Sequence, residues 1–218
     1  MNTPGNKAAK RGNVPPPGLS ETRICAAKES RSTTSPQRPV ALILGGADCL
    51  KADMEQALAL FTPTIIIAVN NAGFDYPGPL DHWVTMHPDK MPEWVKKRRA
   101  NGYPGAGTLW RPRHRQPGGN LEMRECPSWG GSSGLFAIAV CRLGLKGPGT
   151  EYRAVLAGVP MQAERAHYDN PKPWNDCQHY LSSWKTHLPQ INGKVKSMSG
   201  WTREILGAPD QGWLNGIR

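Results

Sequence analysis

Val40-Ala41-Leu42-Ile43-Leu44 is apolar without interruption and ends in Gly45-Gly46-Ala47-Asp48. A short run of this kind, bounded by turn residues, predicts a strand buried on both faces. From Leu50 to Phe61 the apolar positions Leu50, Met54, Ala57, Leu58 and Phe61 recur at helical spacing, which predicts an amphipathic helix ending at Thr62-Pro63. Thr64 to Val69 is β-branched and apolar again, and Asn70-Asn71-Ala72-Gly73 follows as its exit turn. Strand, helix and strand in this order build a right-handed crossover in a parallel sheet, with ligands gathering at the carboxyl ends of the strands.

The pattern continues with a third short strand over 81–86 and a basic helix over Pro92–Ala100. Glycine, proline and arginine dominate 101–129, so a long loop with one short strand near 108–110 is expected there. Gly130-Gly131-Ser132-Ser133-Gly134 then leads into the apolar stretch Leu135–Gly144, a capped and buried helix. Residues 152–157 form the next strand, with Gly158-Val159-Pro160-Met161 as its exit, and helices are expected over 174–187 and 200–206. The fold class that results is α/β: one doubly wound, mainly parallel sheet of Rossmann-like layout over residues 39–218.

Residues 1–38 stand apart. They combine Pro15-Pro16-Pro17-Gly18 with a Ser/Thr/Pro cluster and few apolar residues, and their seven cations face two carboxylates, half of the chain's net charge of +10. Such a segment cannot offset its ordering entropy, so a disordered basic tail is expected, or a translation start assigned too early. As a basic arm it would bind nucleic acid by counterion release. No stretch approaches the roughly 18 apolar residues of a membrane span, and 1–20 lacks the apolar segment of a secretory signal. A cytoplasmic protein is therefore expected. The five cysteines contain no CxxC pair, which argues against a zinc ribbon or a disulfide framework.

Chemistry is expected at the strand ends. Gly45, Gly46 and Gly158 let backbone approach a ligand, Asn70 and Asn71 can contact ribose or base edges, and Ser132, Ser133 and Gly134 aim hydroxyls and N–H groups at whatever lies above them. Each also has a plain use as a turn or cap residue. The glycine pattern matches neither a dinucleotide fingerprint nor a P-loop. His82 and His87 lie five residues apart with no partner set for zinc, so no metal site is expected from them. Lys96 to Arg99 and Arg111 to Arg115 suit a solvated face or the attraction of an anionic acceptor. Of the eight tryptophans, Trp174, Trp184, Trp201 and Trp213 are expected to anchor the C-terminal third, with a stacking role open to one of them.

Residues 132–144 followed by 154–161 resemble the Ser-Gly helix and Leu-x-Gly-Ile-Asp strand of small bacterial sialyltransferases that use CMP-sialic acid. They are also similar to the 6-hydroxymethylpterin diphosphokinase-like family, and the general layout is that of phage and prophage proteins. Leu42–Lys51 is similar to the Gly-x-Gly-Pro-Ser-Leu opening of these families, and Val69-Asn70-Asn71 to their second strand. Ala47-Asp48-Cys49 departs from the family turn, and Pro160 stands where an acidic residue often follows. The resemblance implies a nucleotide-dependent transferase that takes a nucleotide or nucleotide sugar, with His167 as general base and no cofactor required. Two alternatives stay open. One is a pyrophosphate-transferring or nucleotide-hydrolysing enzyme using Mg²⁺ at Asp48 or Asp89; the other is a non-catalytic accessory protein binding nucleotide or nucleic acid.

Overall fold

The computed structural model describes residues 39–144, 153–168 and 170–216. The chain divides into two units, 1–35 and 36–218, and all elements below belong to the second. The expected tail, and Tyr152 of the expected strand 152–157, lie outside the described residues.

Seven strands form one parallel sheet. In chain order these are β1 (Val40–Leu44), β2 (Ile65–Val69), β3 (Leu80–Val84), β4 (Ala106–Pro112), β5 (Arg124–Cys126), β6 (Arg153–Ala157) and β9 (Val195–Ser197), arranged 5-4-3-2-1-6-9. A separate antiparallel hairpin pairs β7 (Ala166–His167) with β8 (Asn170–Pro173). β1 lies at the centre, with Leu44 beside Ala68 of β2 on one flank and Ala157 of β6 on the other. All five of its side chains are buried because both faces of the sheet are covered. Val40, Leu42 and Leu44 pack on the side of α1 (Leu50–Leu60), while Ala41 and Ile43 pack with α4 (Ser133–Ala139). The order reverses between β1 and β6, and this makes the sheet doubly wound.

The remaining helices are α2 (Ala72–Asp75), α3 (Met91–Ala100), α5 (Cys177–Ile191), α6 (Gly200–Leu206) and α7 (Gln211–Asn215). The expected helix 135–144 starts two residues earlier and widens to a π-helical turn over Val140–Gly144. The expected helix 174–187 starts at Cys177 and runs on to Ile191. The long loop of 101–129 holds β5 and a β4 of seven residues in place of a single short strand.

Two side chains depart from their expected faces. Leu58 is 44% exposed, and the place on α1 that faces the protein goes to the carboxylate of Asp53, 4% exposed. Arg98, expected on a solvated face, is 2% exposed. Its guanidinium donates to the carbonyls of Gly73, Tyr76, Gly78 and Pro104 at 2.5–2.7 Å. Arginine is suited to this position because its planar fork can satisfy several carbonyls at once. It thereby fixes the one-turn α2 and the segment after it, and it takes no part in attracting a substrate.

Candidate functional site

The carboxyl ends of β1, β2, β3 and β6 open into a cavity of about 600 Å³. It lies at the reversal of strand order, where open α/β sheets bind ligands, and its size is that of a small-molecule pocket. Gly45, Gly46, Asn70, Ser132, Ser133, Gly134, Gly158 and His167 all line it. Asn71 does not: it precedes α2 in a helical conformation, and its carbonyl accepts from Phe74 N.

The turn after β1 is tied down by its own N–H groups. Gly45 N donates to Ala157 O, Ala47 N to Gly158 O and Asp48 N to Ala166 O, at 2.8–3.1 Å. Three of its four N–H groups are thus committed to backbone, so the expected phosphate cradle narrows to Gly46. What the glycines supply is close approach. A Cβ on Gly45 would lie 2.2 Å from Gly158 O, and one on Gly46 would lie 2.1 Å from His167 Nε2. Gly46 is therefore the seat of the His167 ring. The hairpin is held there by an Ala47 to His167 bridge and by Tyr168 N donating to Gly46 O at 3.0 Å.

Asn70, at φ +50°, closes β2 in the left-handed region that asparagine tolerates. Its carboxamide donates to Ser133 Oγ (3.2 Å) and accepts from Thr85 Oγ1 (2.8 Å), while its carbonyl accepts from Trp83 Nε1 (2.6 Å). Thr85 Oγ1 in turn accepts from His87 N at 2.8 Å. Next to Ser133, Ser132 caps α4: its Oγ accepts from Leu135 N (3.3 Å) and from the buried Trp184 Nε1 (3.0 Å). Both lone pairs of that hydroxyl are used. Only its hydrogen remains, whereas Ser133, accepting once from Asn70, keeps its hydrogen and one lone pair.

Behind the site, Asp53 Oδ2 accepts from Gly158 N (2.9 Å) and Ser199 Oγ (2.6 Å), and Ser199 meets Cys49 Sγ at 3.3 Å. Gly158, at φ +69°, also packs directly against Leu50. Burial pushes the Cys49 thiol up to about 11, so it is held protonated and is no nucleophile.

The charged lining is cationic. Arg115, Arg165 and Lys172 reach the cavity, and no carboxylate lines it among the described residues. Asp48, a candidate for holding Mg²⁺, is paired with Arg165 at 3.4 Å. Among the described residues no cluster of three His, Cys, Asp or Glu is placed to hold a metal ion. Trp174 and Tyr180, stacked with centroids 5.5 Å apart, add an aromatic wall. Trp184 anchors as expected, fully buried.

No family model matches the chain, nor does any curated protein or solved structure.

The histidine pair of the sequence separates. His82 Nδ1 accepts from Trp110 Nε1 at 3.3 Å, whereas His87 lines the cavity. His187 stacks on Trp129, with ring centroids 4.9 Å apart. His87, Thr85, Arg165 and Lys172 are the site residues that sequence reasoning missed. Thr85 and His87 follow a recognisable strand, so that the Thr-Met-His strand exit was the available signal.

Proposed function

We propose that this chain binds a nucleotide in the cavity and acts as a nucleotide-dependent transferase, most like a CMP-sugar-dependent glycosyltransferase. The observation that carries the reading is the one-sided charge of the lining, which is cationic among the described residues. The Ser132 hydroxyl, saturated as an acceptor, has only a hydrogen to offer, and Arg115, Arg165 and Lys172 are cations. Such a lining selects ligand groups that accept hydrogen bonds and carry negative charge, as phosphate oxygens do. The Trp174–Tyr180 wall suits a base, because aromatic stacking holds any base face.

In the proposed reaction an acceptor hydroxyl attacks the anomeric carbon of the sugar. The bond from that carbon to the phosphate oxygen breaks, its electron pair leaves with the nucleotide, and the hydroxyl proton passes to His167. An imidazole suits this task because its ordinary pKa lies near neutrality. The Gly46 contact fixes where that ring stands.

A thermal-shift screen of nucleotides and nucleotide sugars tests the binding step. A ligand held at 100 times its Kd stabilises the fold by about 2.7 kcal/mol. CMP release from a CMP-sugar then tests the chemistry: His167→Ala should lower it about 10²-fold or more while nucleotide binding persists. A chain that no nucleotide stabilises, yet that binds duplex DNA tightly and with steep salt dependence, would overturn the proposal.

A further inference from the structure

His87 leaves β3 at the Thr85-Met86-His87 exit and turns its ring to the cavity. Its backbone is fixed independently of that ring, through N–H to Thr85 Oγ1 and onward to Asn70. The imidazole makes no hydrogen bond among the described residues, so nothing structural occupies it. The hairpin and the residue before it bring His167, Lys172 and Arg165 to the same cavity. A ligand anion entering it meets a lining that holds two imidazoles.

We propose that His87 is the second imidazole of the site, gripping an anionic group of the ligand from the β3 side and taking up one proton from solvent as that group enters. This rests on the reading that the cavity takes a phosphate-bearing ligand. The charged groups around His87 are Lys90 and Asp89 on its own turn and Arg115 from the segment after β4, with Arg165 and His167 in the same cavity lining. Partial enclosure, and after it Lys90, hold the His87 pKa below the ordinary histidine value; Arg115 acts the same way and Asp89 opposes them. These surroundings therefore favour the neutral ring at neutral pH. A phosphate placed against it favours the charged form and raises its pKa. Proton uptake follows from the sign: binding strengthens as pH falls through the window between the two values, weakens as pH rises through it, and levels off on either side.

Titration calorimetry of the full chain with CMP, and separately with inorganic phosphate, in two buffers of different ionisation enthalpy reads both affinity and protons taken up. Near pH 7 the wild type should take up a fraction of a proton more than His87→Asn does. The variant should bind about tenfold more weakly, the loss expected for one charge-assisted hydrogen bond. His87→Gln serves as a second variant, and unfolding midpoints equal to wild type show that either substitution leaves the fold intact. Equal affinity and equal uptake in wild type and both His87 variants would overturn the inference while leaving nucleotide binding standing. Binding of phosphate but not CMP would remove the nucleotide reading, and the His87 comparison would then be decided with phosphate. A wild type that binds neither overturns both.

Discussion

Replacing Asp53 by alanine is expected to destabilise the domain strongly, although Asp53 does not itself line the cavity. Its Oδ2 receives both Gly158 N and Ser199 Oγ, and the side chain is 4% exposed. Hydrogen bonds to a charged group are worth about 1.5–3 kcal/mol each, and a buried N–H left without an acceptor adds its desolvation cost. Since the two bonds share one oxygen, their loss comes to about 3–5 kcal/mol, a large share of the roughly 5–15 kcal/mol that holds a domain folded. For a domain of this size each kcal/mol moves Tm by about 2–4 °C, so a drop of roughly 10 °C is expected. Asp53→Asn makes the comparison sharp. It keeps one oxygen that can accept from both partners, loses the charge and exchanges the other oxygen for an NH2 group, and should cost about 1–2 kcal/mol. Urea and thermal unfolding of the three proteins measure the differences directly. If alanine costs no more than asparagine, or less than about 1 kcal/mol, the carboxylate does not hold the β6 exit as described.

Gly46→Ala should fold but displace the His167 ring, since the new Cβ would stand 2.1 Å from Nε2; the proposed sugar transfer should fall toward that of His167→Ala, and an unchanged rate would show that the ring has room to move. With its pKa near 11, about one Cys49 thiol in a thousand is ionised at pH 8. Alkylation followed by peptide mass spectrometry should find Cys49 nearly inert in the folded chain, reacting faster as pH rises toward 11. Enclosure, above all, lowers the His82 pKa from 6.5, opposed by Asp81 and aided by Arg124. The unfolded chain therefore binds the proton more readily, so the contribution of His82 is complete above pH 6.5 and is lost as pH falls toward the folded value. His82→Gln should flatten that part of a stability profile, and an identical slope would refute the assignment.

The central elements were legible because their patterns are local. Val40–Leu44 shows a strand buried on both faces, and 200–206 shows its helix with both bounds correct. β5 and β9 were not legible, being three-residue strands at the sheet edges, where Arg124-Glu125 and Lys196 interrupt any apolar run. Arg98 carries the composition of a surface residue, and its burial depends on carbonyls 20 to 25 positions earlier that no sequence window connects to it. The site was half visible for the same reason. Glycine, asparagine and serine at strand ends point to a rim, but Arg165 and Lys172 reach it only because a polar hairpin docks on Gly46. The use of the glycines also differs from the expectation. At Gly45 and Gly46 they admit Gly158 and His167, contacts that arise only when distant parts of the chain meet.

The strand order has a consequence for how the molecule is made. β1 through β5 lie beside their neighbours in sequence, so this half can condense from connections of moderate length. β6 instead returns to β1, pairing Ala157 with Leu44 across more than a hundred residues. Closing so long a loop carries an entropic cost that the pairing repays only once it forms, and such contacts tend to come late. Until then the flank of β1 is an open strand edge, an invitation to another chain. Gly158, Ser199 and the hairpin bearing His167 all follow β6 in the chain. A chain still emerging from the ribosome would therefore carry the glycine turn without its histidine and a sheet edge without its partner; a single closure event supplies both.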